Sequence, residues 1–341
     1  MLAQVLTKNS TPSASFTLQE IAKPVPGPGQ VCIHVTAYGL NFADIMARQG
    51  LYRECPPLPC VIGYDVEGVI DAVAPDVQEF KPGDKVFALT RFGAYAEYAV
   101  TQAAAVSLMP EGMPAGTGCA LATQCVTAYY AAIHTQTLVP GEKVLIHAAA
   151  GGLGTALIQI ALWKGCTVIG IAGGQYKSDH LRQLGVQHVI DHHTTSYESY
   201  IQQHLKGRVD VIFDNVGGTS VQKGKALLAP GGRIVTLGGA GLSGKKGYFQ
   251  LVRFALGFGF FSPISFIGKS QSLIGVNMLR IADHRPDLIE ACFKGVIQLY
   301  HDGILRPHVD KVFLRDQLDQ AHTYVESRKS IGKVVVSWQT N

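Results

Sequence analysis

Residues 143–163 read KVLIHAAAGGLGTALIQIALW, and the fold of the chain follows from this stretch. An apolar run rich in Val, Leu and Ile stops at a cluster of small residues and restarts with helical spacing. That is the sequence form of a buried parallel strand, a phosphate-cradling turn and a helix. Gly151, Gly152 and Gly154 are expected to allow tight backbone geometry in the turn. They also let a diphosphate approach main-chain N–H groups at a helix N-terminus, where the helix dipole favours anions. The template G-x-G-x-x-G is one residue short, because Ala149 holds its first position.

Outward from this stretch the grammar is that of alternating strands and helices. Strands are predicted near 143–148, 167–172, 187–190, 209–214 and 232–237, with another over 271–278 and a helix over 286–300. Such a run of βαβ units makes a doubly wound parallel sheet with helices on both faces. The preceding 120 residues or so differ. Short alternating segments at 31–37, 61–72, 85–88 and 94–100, punctuated by turns such as Lys81-Pro-Gly-Asp84, describe a mostly antiparallel, barrel-like domain, with a short helix over 41–49. A last strand falls at 333–337.

The composition sets limits. A chain of 341 residues holds two domains, and 47% hydrophobic with 16% charged residues describes a globular protein. A net charge of +4, without a basic cluster interleaved with aromatics, gives no support to nucleic-acid binding. Seven scattered cysteines without a C-x-x-C pair suggest free thiols in a reducing cytoplasm. The opening MLAQVLTKNS lacks a basic region followed by an apolar block, so no secretory signal is expected. The most apolar run, 251–268 (LVRFALGFGFFSPISFIG), is too short and broken for a spanning helix. A buried or lid-like helical segment is the expectation, with a peripheral membrane contact as the alternative.

The strand 167–172 ends in Gly173-Gly174, without the Asp or Glu that would bind adenosine ribose hydroxyls in an NAD enzyme. Lys177 follows within a turn and suits a 2′-phosphate, which favours NADPH; the plainer alternative is a solvated helix lysine. Asn215 and Gly238, just past the strands at 209–214 and 232–237, are further candidates for the cofactor, since ligands of open α/β sheets sit outside the carboxyl ends of strands.

These residues, together with YGLNFADIMARQGLY (38–52), GYDVEG (63–68), Thr127-Ala-Tyr129, GILRPH (303–308) and IGKV (331–334), resemble the medium-chain dehydrogenase/reductase superfamily. The match is to its quinone oxidoreductase branch, nearest the vesicle amine transport protein (synaptic vesicle membrane protein) homologues. The resemblance implies a GroES-like catalytic domain from 1–123 and 279–341, and an NADPH-binding Rossmann domain from 124–278 with an apolar insertion at 244–270. It implies that Asn41, Asp44 and Thr127 line the nicotinamide end of the site. Gly151, Gly152, Leu153, Gly173, Lys177 and His192 would contact the cofactor, and Asn277, in the 273–278 strand, would approach the carboxamide. Tyr52 and Tyr64 become candidate donors to a substrate carbonyl, with packing of a half-buried ring as the alternative for each. Pairing of the strand near 271–278 would make a homodimer.

The zinc alcohol dehydrogenases of this superfamily carry ligands in C-x-x-[DT] and G-H-E motifs. Here those positions read Asn41-Phe-Ala-Asp44 and Gly63-Tyr64-Asp65, and the third falls at Thr123. Cys125, two residues on, is expected to face elsewhere on its helix. His192-His193 has no carboxylate or thiol cluster beside it. A zinc-free enzyme is therefore expected, one that transfers hydride to a quinone or an α,β-unsaturated carbonyl, whose electrophilic carbon needs no Lewis acid. The alternative is an NADPH-binding, membrane-interacting protein with little turnover.

Overall fold

The structure is a computed structural model describing residues 1–245 and 247–338; Lys246, inside the 244–270 segment, and residues 339–341 lie outside the described residues. Eight strands come first: β1 Leu2–Leu6, β2 Phe16–Glu20, β3 Gln30–Leu40, β4 Cys60–Val61, β5 Asp65–Val73, β6 Lys85–Leu89, β7 Tyr98–Gln102 and β8 Val106–Leu108. Six follow: β9 Lys143–Ile146, β10 Thr167–Ala172, β11 His188–Asp191, β12 Val209–Asp214, β13 Leu228–Thr236 and β14 Ser272–Gly275. β15 (Val309–Leu314) and β16 (Lys333–Ser337) complete the set. The chain divides into two compact units, one of Met1–Thr127, Met278–Gly303 and Pro307–Asn341, the other of Ala128–Asn277 with Ile304–Arg306.

The second unit is a six-stranded sheet in the order β11-β10-β9-β12-β13-β14. Every pairing in it is parallel. Counting from β9 the order is third, second, first, fourth, fifth, sixth, the doubly wound arrangement that binds dinucleotides where the order reverses. Leu145, Ile169, Ile212 and Ile234, one from each inner strand, build a core that helices cover from outside.

In the glycine loop, clearance and dihedral fall to different residues. β9 stops at Ile146 although His147 N–H still reaches the Phe213 carbonyl. The left-handed residue of the turn is Ala148, with φ of 48°, whereas Gly151 has an ordinary φ of −74°. The glycines therefore supply room, not a special dihedral. A Cβ on Gly154 would sit 2.5 Å from the Ala149 carbonyl oxygen and 2.6 Å from that of Ala148, so the helix can begin this close only with glycine there.

Two further expectations change. The 271–278 strand shrinks to Ser272–Gly275, and Met278 already starts the helix Met278–His284. The 251–268 run forms two helices, Tyr248–Gly257 and Pro263–Ile267, and neither has a buried residue. The segment is held by its aromatic rings: Phe254 lies 3.0 Å from where a Gly218 Cβ would be, and Phe258 and Phe261 pack against the parallel-sheet core. Tyr248, Phe249, Phe260, Ile264 and Ile267 face out.

The first unit holds the sheet β15-β16-β3-β5-β6-β8, with β7 also on β3, and a smaller sheet β2-β1-β4. Pairing is antiparallel except between β15 and β16. The strand predicted over 94–100 starts only at Tyr98, with Ala96 making a lone bridge to Ala3. Its longer strands, buried along most of their length, contribute Val31, Ile33, Val66, Val86 and Val336 to one core.

Candidate active site

In the first unit the site is built on charge. The helix Phe42–Arg48 starts at Asn41, and the Asp44 carboxylate accepts the Asn41 backbone N–H at 2.7 Å. This is half of a capping arrangement, which Asn-x-x-Asp is well suited to make. The Asn41 side chain does not cap the helix. Its Nδ2 donates to Asp65 Oδ2 at 2.6 Å, and its Oδ1 accepts from Lys333 Nζ at 2.9 Å. Lys333 also pairs with Asp65 Oδ2 at 2.8 Å, and both charged side chains are fully buried.

The amide of Asn41 thus has one orientation: a lysine cannot donate to an amide N–H, and a carboxylate cannot accept from its oxygen. Room for the pair comes from Gly39 on β3, where a Cβ would lie 2.1 Å from both Asp65 Oδ1 and Lys333 Cε. Asp65 and Lys333 are the residues that sequence reasoning missed as a site. The available signal was a charge at the first position of two valine-bearing strands, DVEGVI and KVVVS. Asp44 is also fully buried, and burial pushes its carboxyl well above the usual carboxylate range.

Tyr52 and Tyr64 lie together, ring centroids 6.0 Å apart at 74°. Burial, helped by the Glu54 carboxylate, pushes the Tyr52 phenol up to about 12. Tyr64 is more deeply buried and raised further by the same cause, with the Tyr52 phenol beside it as a smaller contribution. Both phenols are therefore neutral donors at physiological pH. Thr123 donates to the Tyr64 carbonyl at 3.3 Å, and Thr127 donates to the Thr123 carbonyl at 2.6 Å. The turn carrying Thr123 and Cys125 is a wide π-helical one, Leu121–Cys125, in place of the α-helix assumed from sequence. Cys125 is buried.

In the second unit the candidates line up along one edge of the sheet. Gly151, Gly152 and Leu153 stand where β9 hands over to the helix Gly152–Trp163, which has no acidic residue in its first turn. Gly173 follows β10, with Lys177 in the first turn of the helix Gln175–Gln183. His192 follows β11, Asn215 follows β12, and Gly238 lies past β13. Asn277 lies in the link after β14, outside any strand, which corrects its expected place. A Cβ on Gly173 would come 2.8 Å from His192 Nε2 and 2.9 Å from His193 Nε2, so both imidazoles close on that glycine. Asp191, at the end of β11, is a carboxylate that the sequence reading did not place here. The N–H groups of His193 and Gly174 both donate to it and hold its carboxyl below the usual range.

This edge fits a dinucleotide. The close approach at Gly154, the uncapped helix N-terminus and a buried Asn215 Oδ1 without a hydrogen-bond partner among the described residues are what a diphosphate and its riboses would use. A catalytic zinc fits poorly, since Asn41, Tyr64 and Thr123 supply neither thiolate nor imidazole. Among the described residues, no three His, Cys, Asp or Glu side chains come together as a metal site.

Comparison with known proteins places these features. Residues 27–111 match the alcohol dehydrogenase GroES-like domain, and residues 184–336 match the family described as zinc-binding dehydrogenase. Synaptic vesicle membrane protein VAT-1 homolog from Homo sapiens is 35% identical over 318 residues, covering 92% of this chain and 80% of that protein. Quinone oxidoreductase from Homo sapiens is 30% identical over 321 residues, covering 93% and 92%. The crystal structure of human synaptic vesicle membrane protein VAT-1 homolog-like protein superposes with a TM-score of 0.86 at 26% identity, covering 100% and 99% of the two chains. With a parallel-sheet unit, a GroES-like unit and these relatives, the chain belongs to the medium-chain dehydrogenase/reductase superfamily, in the quinone oxidoreductase branch, whose members bind a nicotinamide cofactor.

Proposed function

We propose that the protein is a zinc-independent, NADPH-dependent oxidoreductase acting on a quinone or an α,β-unsaturated carbonyl. The observation that carries this reading is the replacement of all three zinc-ligand positions by Asn41, Tyr64 and Thr123, with the Asn41 amide committed to a buried Lys333–Asp65 pair. The cofactor supplies hydride. Gly151, Gly152 and Leu153 would hold its diphosphate, and Asn215, Gly238 and Asn277 would serve the riboses and the nicotinamide end. Lys177 and His192 would take the 2′-phosphate, while the Asp191 carboxylate is occupied by the N–H groups of Gly174 and His193. Asn41, Asp44 and Thr127 would orient the nicotinamide. Tyr52 or Tyr64 would donate a hydrogen bond, or through water a proton, to the substrate oxygen. The electrophilic carbon of a conjugated carbonyl accepts hydride with donor hydrogen bonds alone, which is why the loss of a Lewis acid narrows the substrate class.

The GroES-like part would then be catalytic over 1–123 and 279–341, and the Rossmann part would span 124–278. A homodimer through the edge strand β14, whose Leu273 is exposed, follows from the family resemblance. The test of function is NADPH consumption across a panel of ortho- and para-quinones and enones. Turnover with at least one of them supports the reading. NADPH binding without turnover on any of them contradicts it.

One observation favours a second reading, an NADPH-binding protein that contacts membranes from a cytoplasmic location. Phe260, in the link between the helices Tyr248–Gly257 and Pro263–Ile267, is 95% exposed and Ile264 is 79% exposed, and no acidic residue occurs from 215 to 282. No helix among the described residues is long and apolar enough to cross a membrane, so such a contact would be peripheral. Co-sedimentation with anionic liposomes, compared with a variant lacking 251–268, decides it. Equal, negligible binding by both removes the idea.

A further inference from the structure

We propose that Cys55 and Cys60 form a dithiol site that reacts with a hydroperoxide and closes to a disulfide beside Tyr52. The two sulfurs lie 4.0 Å apart, and both residues are half-buried, whereas Cys32, Cys119, Cys125, Cys166 and Cys292 are all buried. A disulfide needs the sulfurs at ~2.05 Å, so closure asks for a shift of about 2 Å shared between two side chains and one loop. Cys60 opens β4, which pairs with β1 at Leu6, and is the fixed partner. Cys55 lies in the irregular loop before it, with four residues between, and is the partner that moves.

The pair is polarised. The Cys55 S–H donated to Cys60 lowers the Cys60 thiol, while Cys55 itself is raised by that hydrogen bond and by burial. The Cys60 thiolate is therefore the nucleophile. It attacks one peroxide oxygen, the O–O bond breaks, and the leaving alkoxide takes a proton and departs as an alcohol, or as water from hydrogen peroxide. Cys60 is left as a sulfenic acid. The Cys55 sulfur then attacks the Cys60 sulfur, the S–O bond breaks, and the hydroxyl leaves as water with the Cys55 proton. In sum, two thiols and one hydroperoxide give one disulfide, one alcohol and one water. The two electrons lost by the sulfurs are gained across the O–O bond.

Closure would reach the proposed donor. The Cys55 N–H donates to the Tyr52 carbonyl at 3.1 Å, so pulling Cys55 toward β4 drags the backbone of Tyr52. This last link rests on the function proposed above; the chemistry at sulfur does not.

The experiment exposes the intact protein to stoichiometric hydrogen peroxide, blocks free thiols and digests with trypsin. The peptide 54–85 contains Cys55 and Cys60 and no other cysteine. Expected is that peptide lighter by two hydrogens, unblocked at both cysteines, with the other five cysteines blocked and with full reversal by dithiothreitol. In Cys55→Ser, Cys60 is expected to be trapped by dimedone as the sulfenic acid. The site is overturned if another cysteine oxidises first, if Cys55 or Cys60 goes to sulfinic acid without the disulfide, or if both remain thiols. Where a quinone or enone is turned over, oxidation should raise KM several-fold in the wild type and leave Cys55→Ser/Cys60→Ser unchanged. An unchanged KM in oxidised wild type would overturn the link to Tyr52, and the mass result stands apart from that outcome.

Discussion

The two units build their candidate sites from opposite materials. In the first, Asn41, Asp65 and Lys333 come from three distant strands and ends of strands, and a buried ion pair fixes a neutral amide. In the second, most candidates stand in turns after successive parallel strands, and the shaping comes from backbone carbonyls at Gly154 and from two imidazoles at Gly173. A side-chain network that buries charge ties its geometry to folding, because removing one partner strands the other in a low-dielectric interior. A backbone cradle is disturbed more locally: an atom added at Gly154 meets the Ala148 and Ala149 carbonyls and displaces the start of the helix, without stranding a buried charge.

The largest expected effect breaks the first kind of site. Lys333→Met leaves Asp65 buried without its cation and should cost about 3–5 kcal/mol, read as a lowered urea midpoint. Lys333→Met/Asp65→Leu should recover most of that loss while leaving the Asn41 amide without its two partners. If the single variant is as stable as the wild type, the pair is not what holds this region. Next comes the cradle. Gly154→Val sets side-chain atoms against the carbonyls of Ala148 and Ala149 and should weaken NADPH binding about 100-fold, or ~2.7 kcal/mol by calorimetry. A variant that binds normally would sever the glycine loop from the cofactor.

Smaller again is the phosphate contact. Lys177→Glu should lower the preference for NADPH over NADH about tenfold in Kd ratio, the equivalent of ~1.4 kcal/mol. An unchanged ratio would reduce Lys177 to a solvated helix residue. The smallest effect separates titration from both sites. His322 is buried beside the Tyr95 hydroxyl, 3.2 Å from its Nε2, and burial, followed by the Arg48 charge, lowers its imidazole to about 3 from an ordinary 6.5. Below pH 6.5 the unfolded chain takes up a proton that the folded one refuses, so this group removes stability as pH falls. The loss is about 1 kcal/mol between pH 6.5 and about 5.5. His322→Gln, which can still pair with Tyr95, should flatten that part of the stability–pH curve. A curve of unchanged slope would contradict the assignment.

How much of this was legible in the sequence differs between the units for the same physical reason. A strand, small residues and a helix are local, so the stretch 143–163 announced the parallel sheet, and the Gly-rich strand ends lie along one edge of it. The local reading expected tight geometry from the glycines and Gly154 supplies that clearance, whereas the left-handed φ at Ala148 carries no local signal. The Asn41 network spans separations of 24, 268 and 292 residues, and no local periodicity encodes which of several charged strand residues will meet. The same holds for Asp191, which comes to Gly174 from the neighbouring strand. The apolar run 251–268 failed in the other direction. Its composition reads as buried, yet only rings such as Phe254, Phe258 and Phe261 find chain to pack on, while Tyr248, Phe249, Phe260, Ile264 and Ile267 stay exposed.

The central proposal is hydride transfer without a metal, and one measurement addresses it directly. The quinone or enone activity is assayed with NADPH before and after exhaustive chelation, with the zinc content of the same sample determined. The account predicts unchanged kcat/KM in protein carrying well under one zinc per chain. Activity abolished by chelation and restored by added zinc would contradict it.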